Sequence, residues 1–545
     1  MLRSDRRFPI ALTDVEWLTD FQHPTLPAHT DPCGAVISAR QPAEKWGADR
    51  FSASPQVLHS SLFPQADTNT YHFQCDCACP DDGFVLQPHS DWQSIGDRPL
   101  HHPELHSQKL SDHYTLMFNP LDDQGVAVLN PAAHELWQRF QTPQRVTDAF
   151  GGQSDSISTD IVDSLLRFGL LEPVGKRFTP RPGTPETLST WIHVTNACNL
   201  RCDYCHINKS NEEMSADVGR SAVDAIFRSA SLNGFRRVKL KFAGGEALLN
   251  WERVLEMHSY AQERSQQTDI PIETVLLSNG VFVSQEIIDE CKARQIRISI
   301  SLDGIGEYHD SQRHFANGRG SFAWVDRTIE RLIAGGIHPF ISITLSNRNA
   351  DGLAETVAYV LERQLPFNIN FVRDNECATP FGDLRLQDDL IINAIRRAFA
   401  VIEDNLPDQS LLGYLVDRSQ FNSPHNKTCS AGNSYLVIDH NGNVAKCQME
   451  IEQPITNIFA SDPLALLRTS PQGVQNLPVE EKEGCRECEW RYWCAGGCPI
   501  ATYRATGRYD IKSPNCHIYK AIYPAALRLE GLRLLKLADR YEQLH

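Results

Sequence analysis

The sequence predicts an α/β fold built on a parallel sheet with helical crossovers, and three observations predict it. From about residue 188 to 375, short β-branched runs alternate with amphipathic stretches of helical length, the pattern of repeated strand–helix units. Six candidate strands follow in order: WIHVTN, RVKLKFAGG, ETVLLSNG, RISISLDG, PFISITLSN and FNINFVRD. Chemistry-bearing residues gather where those strands end, and parallel α/β sheets bind their ligands at the carboxyl ends of strands.

The first crossover, SADVGRSAVDAIFRSASLNG, shows how the residues dictate a helix. Ser215 can cap its start, Val218, Ala222, Val223, Ile226 and Phe227 share one face, and Gly234 can end it. FRRVKLK at 235–241 reads as a strand with a solvated end, and Cys291 packs in the core from an amphipathic helix.

Length and charge bound the rest. The 545 residues suggest three or four domains, since a single core rarely exceeds about 250–300 residues. A formal net charge of −16 argues against nucleic acid as the main partner, because affinity for phosphate backbones comes from concentrated Lys and Arg. No apolar run reaches membrane-spanning length, and the start, MLRSDRRFPIALTDVEWLTD, lacks the apolar stretch of a secretory signal. The expected location is cytoplasmic, without a membrane partner. Sixteen cysteines at clustered, short spacings suit metal ligation in a reducing compartment better than disulfides.

After the first strand, Cys198, Cys202 and Cys205 in ACNLRCDYC offer three thiolates. Iron–sulfur clusters normally take four, so three leave one iron open to a non-protein ligand. Alone, the spacing also fits a zinc knuckle. With Tyr204 before the last cysteine, the loop resembles that of the radical S-adenosylmethionine (SAM) enzymes. The resemblance implies a partial (β/α)6 TIM-like barrel over residues 185–376 and a [4Fe-4S] cluster whose open iron chelates SAM. It also implies reduction by a donor such as flavodoxin or ferredoxin, and a 5'-deoxyadenosyl radical that takes a substrate hydrogen.

Other strand ends match the same family. Gly244, Gly245 and Glu246 follow the second strand, and the resemblance implies that they bind the SAM amino group. Ser301, ending the fourth strand, and Arg313 match the pair that contacts the SAM carboxylate in the peptide- and sulfatase-maturing branch; Arg suits that role through its planar donors. Ser278 and Asn279, ending the third strand, are further SAM-contact candidates.

A second array spans residues 428–520. Cys429 is followed after twelve residues by Gly442 and after four more by Cys447; Cys485, Cys488, Cys494 and Cys498 form CX2CX5CX3C, and after 17 more residues comes Cys516. YLVIDHNGNVAKC between the first two reads as a β-hairpin that brings them together. CX2CX5CX3C alone also fits a zinc ribbon. The whole array resembles the SPASM domain of radical SAM maturases, with two auxiliary [4Fe-4S] clusters, one on Cys429, Cys447 and Cys498 and one on Cys485, Cys488, Cys494 and Cys516. The first is one ligand short, and Cys377, beyond the last barrel strand, is a candidate to complete it.

Upstream, YTLMFNP, VAVLNPAAHELWQRF, RVTDAF and STDIVDSLLRFGLLEP suggest two strands and three helices over 112–176. They resemble the PqqD-like winged-helix recognition element (RRE-like, 109–180), which binds the leader of a ribosomal precursor peptide by adding it to a sheet edge. A DNA-binding winged helix has a similar outline, but the acidic chain argues against it. Residues 1–108 form an extension of unknown role, in which Cys33, His72, Cys75, Cys77 and Cys79 lack the CX2C geometry of metal sites. Residues 377–427 form a helical linker and 521–545 a terminal helix.

These readings lead to a radical SAM/SPASM maturase that cross-links a precursor peptide oxidatively, through carbon–carbon (cyclophane) or thioether bonds. The alternatives are an anaerobic sulfatase-maturating, formylglycine-generating enzyme and a non-catalytic iron–sulfur electron carrier or redox sensor. Gln448 follows Cys447, where sulfatase maturases carry an aspartate read as a base. A carrier leaves GGE, Ser301 and Arg313 without purpose.

Overall fold

In a computed structural model, the described residues are 54–59, 84 and 85, 98–122, 125–152, 156–175, 181–413, 415–417, 419–421 and 423–544. Cys33, His72, Cys75, Cys77 and Cys79 lie outside them.

The six expected strands form in order as β5 (Thr187–His193), β6 (Arg237–Ala243), β7 (Ile272–Ser278), β8 (Arg297–Ser301), β9 (Phe340–Leu345) and β10 (Phe367–Phe371). Each pairs in parallel with the next. Helices α3 (Ala216–Leu232), α4 (Trp251–Thr268), α5 (Gln285–Ala293), α6 (Phe322–Ala334) and α7 (Leu353–Glu362) form the crossovers. The Ser215 hydroxyl caps α3 by accepting from Val218 N–H at 3.3 Å, and Gly234 follows the helix at φ +71°. Cys291 is fully buried.

The basic strand differs in part from its reading. Arg236 and Arg237 are solvated, but Lys239 and Lys241 are buried. Their charges are met within the sheet, by Glu273 on the adjacent β7, 3.7 Å from Lys239 Nζ, and by the Tyr435 ring two strands away, 5.5 Å from Lys241 Nζ. Such pairing makes a buried ammonium tolerable.

The C-terminal hairpin extends the parallel sheet. Strand β11 (Tyr435–Ile438) pairs antiparallel with β12 (Asn443–Ala445), and Gly442 sits at φ +84° in the turn. It also pairs in parallel with β5, while β13 (Thr456–Asn457) adds to β12, giving one sheet of nine strands in the order β10-β9-β8-β7-β6-β5-β11-β12-β13. The hairpin thus covers an edge of the six-stranded sheet.

Ahead of the barrel lies a second, antiparallel sheet in the order β1-β4-β3-β2, formed by β1 (Val57–His59), β2 (His106–Lys109), β3 (Thr115–Phe118) and β4 (Val126–Leu129). Two of these strands were expected; β1 and β2 come from before residue 109 and complete both edges. Helices α1 (Pro131–Gln138) and α2 (Ser156–Arg167) pack on it, with Met117, Leu129, Phe140, Leu165 and Leu171 in their shared core. The sheet abuts the C-terminal region, where Trp493 Nε1 donates to Pro120 C=O at 2.8 Å. Linker helix α8 (Asp388–Asp404) packs against α9 (Cys516–Leu544), joined by Arg528 to Glu403 at 2.9 Å. Helix α9 therefore starts at the last cysteine rather than at 521. No helix among the described residues is long and apolar enough to cross a membrane.

Candidate active site

The loop after β5 is fixed by its backbone before any side chain acts. Gly245 N–H donates to Thr195 C=O at 2.7 Å and Glu246 N–H to Ala197 C=O at 2.8 Å, while Arg201 and Asp203 N–H donate to His314 and Gln312 C=O at 2.8 and 3.1 Å. The GGE glycines permit the first pair of contacts. A Cβ at Gly245 would stand 2.3 Å from the Ala197 oxygen, and one at Gly244 2.5 Å from the Thr195 oxygen. The turn after β6 and the cysteine loop are therefore one mechanical unit.

Glu246 is buried, and its carboxylate accepts from Leu248 N–H and the Ser278 hydroxyl at 3.1 and 3.0 Å and from Asn279 N–H at 2.7 Å. Burial raises its pKa, opposed by these donors. Its contacts join the end of β7 to the GGE turn. Asn279 Nδ2 in turn lies 3.8 Å from Cys198 Sγ, bringing three of the sequence motifs together.

Cys198, Cys202 and Cys205 influence one another electrostatically, and burial pushes Cys202 up to about 12 while Arg313 pulls it down. Lys209 Nζ donates to Cys205 Sγ at 3.0 Å. Arg313 is buried, donates through Nη1 to the Tyr204 hydroxyl and lies 3.7 Å from Asp303 Oδ2; Tyr204 donates to the same oxygen at 2.6 Å. Tyr204 and Asp303 are functional candidates to which the sequence assigned no role. Both lay inside quoted motifs, CDYC and SISLDG, but their partnership needs the fold. Ser301 ends β8, half-buried, two residues before Asp303.

The seven C-terminal cysteines fall into two groups. Cys429 and Cys498 belong to one buried cluster, against which Cys447 and Cys205 both pack. Burial raises Cys447 to about 12, reinforced by Cys498 and Cys429. Cys485, Cys488, Cys494 and Cys516 line a single small cavity with Tyr519, Lys520 and Tyr523. Burial takes Cys485 to about 12 and Cys494 to about 11. Between the groups is a residue the sequence did not single out, Lys482, whose buried Nζ donates to Ala495 C=O at 2.7 Å and senses cysteines of both. Among the described residues no three His, Cys, Asp or Glu side chains converge on a point as a single ion requires. A cubane differs, since its thiolates attach at separate corners.

Cys377 stands apart from both groups. It is exposed, 3.7 Å from Asn208 Oδ1, and its electrostatic neighbours are Cys205, Glu452, Lys209 and Glu376. It lines a cavity of about 580 Å³ with His206, Asn208, Glu450, Tyr503 and Arg504, where the cysteine loop, the segment after β10 and the C-terminal region meet.

Residues 192–360 match the family described as the radical SAM superfamily. The chain therefore carries a radical SAM domain, and it is an enzyme. The subtilosin biosynthesis protein AlbA of Bacillus subtilis is 23% identical over 58% of this chain and 67% of its own length. A cysteine-type anaerobic sulfatase-maturating enzyme of Clostridium novyi is 22% identical over 56% of this chain and 86% of its own. An uncharacterised Methanocaldococcus jannaschii protein is 29% identical over 31% of this chain, which spans 57% of that relative. Native anSMEcpe with bound AdoMet shares the fold at a TM-score of 0.54 and 18% identity, over 63% of this chain and 99% of that one.

The radical SAM domain implies SAM and a [4Fe-4S] cluster, and the residues present fit both. The three thiols hang on one backbone-fixed loop, with Lys209 Nζ donating to that of Cys205. Beside them, the buried Arg313 Nε has no hydrogen-bond partner, a donor suited to a carboxylate.

Proposed function

We propose that this radical SAM enzyme modifies a ribosomally made precursor peptide, removing one hydrogen atom and then a proton and an electron so that a cross-link closes. Cys198, Cys202 and Cys205 would hold a [4Fe-4S] cluster, which together with SAM would supply hydrogen-abstracting radical chemistry. Glu246, Ser278 and Asn279 hold the rim of the SAM site; Arg313, fixed by Tyr204 and Asp303, presents its free Nε to the SAM carboxylate. Cys429, Cys447 and Cys498, and Cys485, Cys488, Cys494 and Cys516, would hold two auxiliary clusters, which would supply an acceptor for the electron. The cavity of about 580 Å³ carries the reading, because it opens beside the cysteine loop and the Glu450 segment and is large enough for a peptide side chain and its neighbours.

One observation favours sulfatase maturation as a second reading. Glu450, three residues after Cys447, places a carboxylate in that cavity, and burial raises its pKa. It offers a proton acceptor where Gln448 offers none.

Mass spectrometry of a precursor peptide encoded beside the gene, after anaerobic co-expression, tests both readings. Loss of two hydrogens with the intact enzyme is the expected result; formylglycine on a sulfatase peptide instead would replace the first reading by the second. Changing Cys198, Cys202 and Cys205 together to Ala is expected to abolish 5'-deoxyadenosine release while iron in the C-terminal region persists. Release above the cluster-free background would remove the loop from its assigned role.

A further inference from the structure

We propose that residues 54–59 are a built-in occupant of the peptide-binding sheet edge, and that a precursor leader binds by replacing them. The inference rests on the reading that the N-terminal domain binds a leader. Strand β1 pairs antiparallel with β4 in the register Val57↔Leu129, Leu58↔Val128 and His59↔Ala127. This is the geometry of strand addition, in which backbone hydrogen bonds give affinity and pockets for alternate side chains give specificity.

The Asn130 contacts to the segment are ones any extended peptide could make. Asn130 is the clasp. Its Nδ2 donates to Ser54 C=O at 2.8 Å, its Oδ1 accepts from Gln56 N–H at 3.0 Å, and its N–H donates to Gln56 C=O at 3.2 Å. All three reach backbone atoms of the segment and none reads a side chain. The same Oδ1 caps α1 by accepting from Ala133 N–H at 2.9 Å, so the clasp is rigid whatever lies in the groove.

Specificity comes from alternate positions. Val57 is buried among the residues of the sheet–helix core. The His59 ring is stacked at 4.1 Å on Phe168, just past α2. A replacing leader is therefore expected to present an aliphatic residue and, two positions later, a planar ring. A three-residue strand at a sheet edge adds only a few backbone hydrogen bonds, so it is short enough to exchange. If the segment is docked nine-tenths of the time, the apparent affinity for a leader falls about 10-fold.

The test uses a fluorescein-labelled peptide of residues 52–61, SASPQVLHSS, added to the full chain. Leu58→Pro removes a backbone donor from β1, and His59→Ala removes the stacked ring while keeping every amide. Both are expected to bind the peptide more tightly than the unaltered chain, Leu58→Pro by about 10-fold or more. Hydrogen exchange should show the Val128 and Asn130 amides, which face β1, opened by Leu58→Pro and protected again by the peptide. Equal affinity for all three proteins would overturn the proposal, as would protection at Ser107 and Lys109 of β2 instead. Neither readout involves SAM cleavage or peptide modification, so failure here leaves the proposed function standing. 5'-Deoxyadenosine release by Leu58→Pro should match that of the unaltered chain.

Discussion

Gly245→Ala is expected to lower 5'-deoxyadenosine formation by about 100-fold or more, the scale of loss when reacting groups are misplaced by an ångström. The added methyl would lie 2.3 Å from the Ala197 oxygen and 2.6 Å from the Asn196 oxygen. Both are backbone atoms, so no rotamer change relieves the contact. Either the loop carrying Cys198 moves away or the turn after β6 does, and both motions separate the thiols from Glu246, Ser278 and Asn279. The stability cost of such overpacking is about 1–3 kcal/mol, so the folded protein should persist. Gly382→Ala is the control, because a Cβ there meets nothing within 4 Å. Anaerobic SAM-cleavage assays on the two variants, with iron and sulfide counted in each, measure the difference. An active Gly245→Ala protein would mean that the two motifs do not need to be locked together.

The parts legible in sequence were those written in local period or in reactive residue types. β5 to β10 could be read because each is a β-branched run followed by a helical face, and Ser215 because a cap acts within its own turn. The cysteines were legible as arrays; in the fold Cys485, Cys488, Cys494 and Cys516 line one cavity, while Cys447 and Cys205 both pack against the buried cluster that holds Cys429 and Cys498. What escaped depended on register. Lys239 and Lys241 look solvated beside Arg236 and Arg237, and only the neighbouring Glu273 and Tyr435 make their burial sensible. The pairing of β11 with β5 joins segments far apart in the chain, and nothing in YLVI names that partner. β1 is too short for a periodic signal, and its place is set by Asn130.

Asp303 is the clearest such case, and its loss is expected to cost about 3–5 kcal/mol, the range for breaking one side of a buried ion pair. Its side chain is fully buried, 3.7 Å from Arg313, which is itself 7% exposed. It accepts from Tyr204 at 2.6 Å, from Gln312 Nε2 at 3.0 Å and from Thr344 N–H at 2.8 Å. Asp303→Ala leaves these donors unmet and the guanidinium uncompensated. At roughly 2–4 °C per kcal/mol for a domain of this size, thermal unfolding of the apoprotein should shift down by about 10 °C. Arg313→Lys separates stability from function at the same place. It keeps a positive charge near Asp303 but loses the planar fork and its free Nε. A lost charge-assisted hydrogen bond is worth about 1.5–3 kcal/mol, so SAM affinity should weaken about 10- to 100-fold with a smaller change in unfolding temperature. If Arg313→Lys bound SAM normally, the orphaned Nε would serve something other than the SAM carboxylate. If Asp303→Ala unfolded at the original temperature, the Tyr204–Asp303–Arg313 contacts would not be holding the barrel mouth together.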